Sequence, residues 1–561
     1  MDNKRLALAI GICIVIFLGW NFLSYKMGWI PEERAPVKAT VPSAVSGESP
    51  GADAAGGGAA DFAGSGPAPA VSASPGRAVS VETPLYRAVL HGNGGILRRF
   101  VLKQYRTGIG ESASQVEMVS GQAAAQAPFG ILLDGLVTWN GPEWTLKGDD
   151  LNLADGESGV LTFTAEIDGV ALRRELAFSA SDYVISERLF LSSPRQRKVN
   201  AAFTFGASSL DTDPKVSVFS SLRHAVLGGT PPVPEESQYN PTRIAWLEGD
   251  SFDEENAPAD LAKGTPVRNG VSWMGVMNNY FLGAVSMDDP AAGAKGRLIG
   301  NVYHVLIGKT GVVLPAGEEV MLQSAYFIGP KESGQLAATP NNMVKALDYG
   351  FFSVIARPLV RLLVFLNGYT HNYGAAVILM TVIIKLIFWP LSQKSYKSMN
   401  QMKKLQPMLV KIREKHKDDK EAMNREVMQL YKTYKVSPAG GCLPIVVQIP
   451  VFFGLYQGLL NAIELRHAPF IATLPFTDTP WLADLASPDP WLITPLVMGA
   501  TMFLQQKLSP SSADPTQAKI MMFMPLIFTL LFLNFPAGLV VYWLVNNVIS
   551  IGQQWWQLRR A

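Results

Sequence analysis

The stretch Gly374-Ala-Ala-Val-Ile-Leu-Met-Thr-Val-Ile-Ile-Lys385-Leu-Ile-Phe-Trp-Pro-Leu391 limits most strongly what this chain can fold into. It is nearly all apolar and of a length that reads as a transmembrane helix, yet it carries a full positive charge. A charge inside hydrocarbon costs about 2.5–3.5 kcal/mol on insertion scales, so Lys385 needs a partner, a water-filled cavity or an escape to the interface. It lies about six residues, or ~9 Å of helical rise, from the end that reads as cytoplasmic. A lysine stem covers only part of that distance. Thr381, four residues back, and Ser392, seven on, lie on its helical face, which makes a polar stripe. Two readings stand beside each other: a snorkelling lysine, and a wet groove open to the cytoplasmic side where Lys385 offers its charge to a passing segment. The stripe favours the groove.

The rest of the chain is organised unevenly around this span. Apolar residues make up 48% of its 561 residues, but they bunch at the start and after residue 350, the pattern of a membrane protein with a soluble insert. Two cysteines, Cys13 and Cys442, exclude a disulfide framework or a cysteine-based metal site. The six histidines are scattered without ligand spacing, and no cofactor is expected. Leu6–Leu23, preceded by Lys4-Arg5 and lacking a small-residue cleavage pattern, reads as an uncleaved first span in an anchor over 1–25. Residues 26–79 are Ala-, Gly-, Pro- and Ser-rich and read as a flexible linker. Gly47-Glu-Ser49-Pro-Gly51 fits a hydrolase pattern, but that pattern carries meaning only on a strand-to-helix turn and is set aside here.

From about 80 to 335 short alternating runs predict a large, mostly antiparallel β-domain of the sandwich class. Leu161–Ile167 and Val170–Phe178 flank Asp168-Gly169, the signature of a hairpin with a type I′ turn. Further strands are expected at Tyr183–Leu191, Val216–Ser220, Val302–Leu306 and Val320–Phe327. This domain carries no phosphate loop, dinucleotide fingerprint or acid/base spacing that compels a reaction. Residues 340–368, with Lys345, Arg357 and Arg361 among aliphatics and aromatics, suit an amphipathic helix lying in the membrane interface.

Residues 392–436 are helical and basic, with twelve Lys/Arg against five Asp/Glu, a bias that belongs in the cytoplasm. Tyr396, Met399, Met402, Leu405, Leu409 and Ile412 form one apolar face. Met423, Val427, Leu430, Tyr431 and Tyr434 form another, after a cap at Asp418-Asp419. Two such helices make a hairpin whose methionines read as its seam, ahead of the alternative of a greasy face for a substrate, with a basic exterior suited to anionic lipid or ribosomal RNA. Four more spans follow, at Gly441–Ile463, Trp491–Leu504, Ile520–Leu533 and Ala537–Ile551, the last two joined only by Asn534-Phe535-Pro536. The last three have short apolar cores, which implies local thinning of the bilayer. The count is six spans, with both termini cytoplasmic and the β-domain on the far side.

The segments Val436-Ser-Pro-Ala-Gly-Gly-Cys-Leu-Pro-Ile-Val-Val-Gln-Ile-Pro-Val-Phe-Phe-Gly-Leu-Tyr456, Glu464-Leu-Arg-His-Ala-Pro-Phe470, Phe535-Pro-Ala-Gly-Leu-Val-Val-Tyr-Trp543 and Leu405-Gln-Pro407 resemble the signatures of the YidC family of bacterial membrane protein insertases. The likeness covers about 340–557, and the anchor plus large β-domain resembles the Gram-negative form. The resemblance implies a polytopic α-helical membrane protein with a five-helix insertase core over 372–557. It also implies an inserted periplasmic β-supersandwich related to galactose-mutarotase-like folds. It further implies a hydrophilic groove open to the cytoplasm and to lipid, and no covalent chemistry. The partners implied are nascent membrane proteins, the Sec translocon with its accessory subunits, the ribosome and membrane lipids, with no small-molecule substrate. Lys385 stands where the family usually has arginine; Thr381 and Gln448 resemble groove-lining positions, and Phe452 and Tyr542 apolar or aromatic positions beside the substrate path.

Two other classes compete. A secondary transporter calls for several intramembrane ionisable groups and internal repeats, whereas this chain has one clear ionisable residue and no repeat. A membrane-anchored sugar enzyme would account for the β-domain but not for five further spans and a basic hairpin.

Overall fold

The computed structural model describes residues 76–560 apart from 111, 127, 141–142, 211–239, 290–291, 417–418, 435–442 and 509–514. The expected first span, most of the linker, Gly47–Gly51 and the strand Val216–Ser220 lie outside the described residues. The described chain forms two compact units, one ending at Leu347 and one beginning at Asp348.

The first unit is built from antiparallel sheets. In the hairpin anticipated from Asp168-Gly169, strands Ser158–Ile167 and Val170–Ser179 pair from Val170↔Ile167 outward. Both turn residues have positive φ (49° and 69°), as a type I′ turn requires. Alternate side chains of Val170–Ser179 are buried, so the period-two pattern in the sequence is the pattern of the core. This hairpin belongs to a nine-stranded sheet, which with a six-stranded and a five-stranded sheet makes up the unit. The other expected strands appear as Val184–Ser192, Val302–Leu314 and Glu319–Pro330, each near its predicted position. Strand Glu319–Pro330 comes last in sequence but sits inside the nine-stranded sheet, paired with Val184–Ser192 on one side and Phe281–Met287 on the other.

A buried ion pair ties distant segments of this unit together. The Arg174 guanidinium donates to the Glu187 carboxylate at 2.7 and 3.2 Å and to the carbonyl of Phe129 at 3.0 Å. It also donates to the carbonyls of Gly94 and Gly95. Both charged side chains are fully buried. Such a pair is tolerated because its donors and acceptors are met, and removing one partner typically costs about 3–5 kcal/mol.

The second unit is helical. Its elements are α1 (Ser353–Thr370), α2 (Tyr373–Ile387), α3 (Trp389–Lys415), α4 (Lys420–Thr433), α5 (Leu443–Asn461), α6 (Ile493–Leu508), α7 (Pro515–Phe532) and α8 (Ala537–Arg560). The stretch expected as one amphipathic element over 340–368 is divided. Met343–Ala346 forms a 3-10 turn whose Met343 and Ala346 are buried in the β unit, and the long helix starts only at Ser353. The span expected over Gly374–Leu391 ends at Ile387. Phe388 leaves the helix before Trp389-Pro390, and α3 departs at 64° to α2. Proline at the second position of α3 suits a helix start and disfavours a continuous helix through it.

Nor does each of the five expected spans that fall among the described residues appear as one long apolar helix. Among the described residues only Gly350–Thr370 is by itself long and apolar enough to cross a membrane, and the bent pair α2–α3 adds a second if taken as one span. Helix α1 packs on α5 through Ala356 and Val360, which meet Gly454 and Gly458. A Cβ at Gly454 would lie 2.9 Å from Ile355 Cγ2, and one at Gly458 2.9 Å from Val360 Cγ2. This small-xxx-small spacing lets the two backbones approach closely, the usual device where lipid cannot drive helices together.

Helices α3 and α4 form the expected hairpin. Leu405, Leu409 and Ile412 are buried in its seam. Asp419 caps α4 by accepting from the backbone N–H groups of Glu421 and Ala422. The tip is clipped by Glu426, which accepts from Lys415 Nζ at 3.2 Å and contacts His416 Nε2 at 2.5 Å. Those two partners hold the Glu426 carboxyl below the usual carboxylate range.

Candidate functional site

Helix α8 is the element shared by the helical unit; α2, α3, α5 and α6 all pack on it. Its start is fixed by the turn at Asn534-Phe535-Pro536, with Leu539 and Val540 N–H bonded to the Pro536 carbonyl. One stripe of α8 is polar at helical spacing: Tyr542, Asn546 and Ser550, each four residues after the last.

That stripe gathers most of the residues singled out in the sequence. Gln448 on α5 donates from Nε2 to Asn546 Oδ1 at 2.7 Å and reaches Tyr542 Oη at 3.4 Å. Lys385, in the last turn of α2, donates from Nζ to Ser550 Oγ at 2.7 Å, and Ser550 in turn donates to the Asn546 carbonyl at 2.7 Å. A polar seam therefore runs from Gln448 through Tyr542, Asn546 and Ser550 to Lys385, spanning about 12 Å along α8. Lys385 is only 7% exposed. Among the described residues no carboxylate lies within ion-pairing distance of its ammonium. Its position at the carbonyl end of α2 is favourable for a cation. The ammonium is held inside the helical unit.

Thr381 and Phe452 take other positions. Thr381 is fully buried and donates its hydroxyl to the Val377 carbonyl of its own helix at 2.7 Å, so it packs in the core one turn from Lys385. Phe452 is half-buried in an aromatic cluster beside the seam, edge-on to Trp543 at 4.8 Å. Trp543 also meets Phe532, at 5.4 Å. The cluster gives the polar seam one apolar wall.

Asn546 and Ser550 escaped the sequence reading, although their spacing from Tyr542 was there to be read. Further polar groups extend the region: Asn547 donates toward Thr501 Oγ1 at 3.4 Å, and the buried Gln553 Oε1 has no hydrogen-bond partner among the described residues. No cluster of His, Cys, Asp or Glu suited to a metal occurs among the described residues. What the arrangement offers is a buried positive charge, neutral donors and acceptors, and an adjacent aromatic surface.

Residues 78–362 match the family described as YidC periplasmic domain, and residues 365–561 match the family described as 60Kd inner membrane protein. Together these define the class: a protein of the inner membrane that carries a β-rich periplasmic domain. The membrane protein insertase YidC of Nitratidesulfovibrio vulgaris (strain DP4) is 52% identical over 571 residues, covering all of both chains. Its counterparts in Lawsonia intracellularis (strain PHE/MN1-00) and Syntrophus aciditrophicus (strain SB) are 47% and 36% identical, again over the full length of both chains. The chain belongs to the YidC family of membrane protein insertases.

Proposed function

We propose that this chain inserts and helps fold membrane proteins by receiving a client's polar tail in the seam around Lys385 while the client's apolar segment moves into lipid beside Phe452 and Tyr542. The observation that carries the reading is the buried lysine, held by the Ser550 hydroxyl with no counter-ion among the described residues. A cation kept this way can exchange a neutral partner for a client carboxylate, and in a low-dielectric site that exchange is favourable. The driving free energy is burial of the client's own apolar helix, so neither nucleotide nor covalent chemistry is invoked.

In this proposal the chain has six spans with both termini in the cytoplasm. The anchor occupies 1–25, the linker 26–79, the β-domain 80–347, an interfacial helix Ser353–Thr370 in place of the element expected over 340–368, and the core 372–557 with its hairpin 392–436. Lys385, Gln448, Phe452 and Tyr542 form the client path, while Thr381, expected beside them, supports it from the core. Asn546 and Ser550 are added to the path because they bridge Gln448 to Lys385. Partners would be nascent membrane proteins, the Sec translocon with its accessory subunits, the ribosome through the basic hairpin, and membrane lipids.

The test is reconstitution of the full chain in liposomes with single-span clients, scored by protease protection of the translocated tail. Lys385→Arg should insert at least as well as the native chain. Lys385→Met should keep the fold but lose clients with acidic tails, and Lys385→Glu should be worse for those and partly rescued by basic tails. Normal insertion of acidic-tailed clients by Met and Glu variants present at native levels would remove Lys385 from the mechanism.

A further inference from the structure

We propose that the exposed face of α1 binds an anionic phospholipid, its phosphate held between Arg357 and Arg361 and its acyl chains lying along Val354, Phe365 and Tyr369. This rests on the interfacial reading of α1 given above. The helix is two-faced. Ala356, Val360 and Leu363 are buried. On the opposite side Phe351 is 90%, Val354 87% and Tyr369 74% exposed, an apolar surface that water does not suit.

Arg357 and Arg361 stand one turn apart on that same exposed side. At 100° per residue they form a strip bordering the apolar sector of Val354, Pro358 and Phe365 rather than interrupting it. Two acids belong to the same neighbourhood, Tyr349 being within electrostatic reach of both arginines and of Glu464. Asp348 accepts from the Ser353 hydroxyl and the Gly350 N–H, and Glu464 makes itself felt at Tyr349. No side chain of α1 itself is acidic.

Two arginine forks one turn apart match a phosphodiester, because each guanidinium can donate two parallel hydrogen bonds to phosphate oxygens. A free phosphate would satisfy the arginines and leave the aliphatic and aromatic sector in water. A lipid satisfies both at once, and the unbroken positive sign of the helix favours the anionic headgroups.

The test uses the full chain with Cys13→Ser and Cys442→Ser and an environment-sensitive fluorophore on Val364→Cys, in phosphatidylcholine nanodiscs. These contain a small, equal fraction of nitroxide-bearing phosphatidylglycerol or phosphatidylcholine, with the nitroxide high on the acyl chain. Phosphatidylglycerol should quench with roughly fivefold preference. Arg357→Gln/Arg361→Gln should bring the preference close to parity while quenching itself persists, and Arg357→Lys/Arg361→Lys should keep part of it. Excess inorganic phosphate should leave the preference intact. Equal quenching by both lipids, or a preference that survives the double glutamine variant, would overturn the proposal and leave the interfacial reading standing. Loss of the preference to inorganic phosphate would show a site for the free anion and overturn the lipid. Absence of quenching by either lipid would sink the interfacial placement itself.

Discussion

At the scale of single residues, buried polar groups make the sharpest predictions. His304 contacts Gln126 Oε1 at 2.5 Å, and burial, aided by the facing Arg297, pushes its pKa down to about 4. An unfolded histidine titrates near ~6.5, so between those values the unfolded chain binds the extra proton and stability falls as pH drops. The loss at pH 4.5 should be about 2 kcal/mol relative to neutral pH, read as a lowered unfolding midpoint of the β unit. His304→Gln should flatten that acid dependence. Lys385 was legible in the sequence because a charge inside an apolar run needs an explanation wherever it occurs. Asn546 and Ser550 were not read, because neutral polar residues in a span carry a small cost and announce themselves only when a partner is seen. Thr381 was legible as polar, but sequence cannot tell a hydroxyl facing a groove from one returned to its own helix, as this one is.

At the scale of elements, the α1–α5 contact depends on two absent side chains. Gly454→Leu should cost about 1–3 kcal/mol by overpacking against Ile355 and Ala356, visible as a lower thermal midpoint in detergent. Gly552, inside α8, has open space where a Cβ would stand, with nothing within 4 Å. Gly552→Ala should therefore be neutral or gain up to about 1 kcal/mol from backbone entropy alone. Element type was largely readable here: the Asp-Gly turn fixed a hairpin and its register, and the apolar face of α3 is buried at Leu405, Leu409 and Ile412, whereas the face expected on α4 is only half-buried and its Tyr434 is exposed. Element ends were harder. The break at Phe388 follows from Pro390, a local signal masked by the nearly all-apolar run around it. Helix α8 runs nine residues past the expected Ile551 to Arg560, because Gln553, Gln554 and their neighbours are good helix formers that a hydropathy limit cuts off.

At the scale of the whole molecule, orientation and division of labour are the testable matters. Single cysteines at Glu166 and Thr477 should label from the periplasm, and one at Lys411 only after the inner membrane is opened. These are exposed positions. Labelling of Lys411→Cys in intact spheroplasts would reverse the orientation. Removal of residues 78–347, joining the first span to Asp348, should leave insertion of simple clients working. The cut falls at Leu347 because Leu336, Met343 and Ala346 are buried within the β unit. A stable, correctly localised deletion that inserts nothing would make the β unit part of the mechanism.

The place of strand Glu319–Pro330 also bears on how the protein is made. Synthesis delivers this strand after every other strand of the nine-stranded sheet, yet it joins the Val184–Ser192 side to the Phe281–Met287 side. Ser324 on this strand also reaches Glu187 beside the buried Arg174. Until residue 330 has been exported, each half of the sheet ends in an open edge, the kind of surface that pairs with the wrong neighbour. The β unit is thus open to mispairing until its last strand arrives.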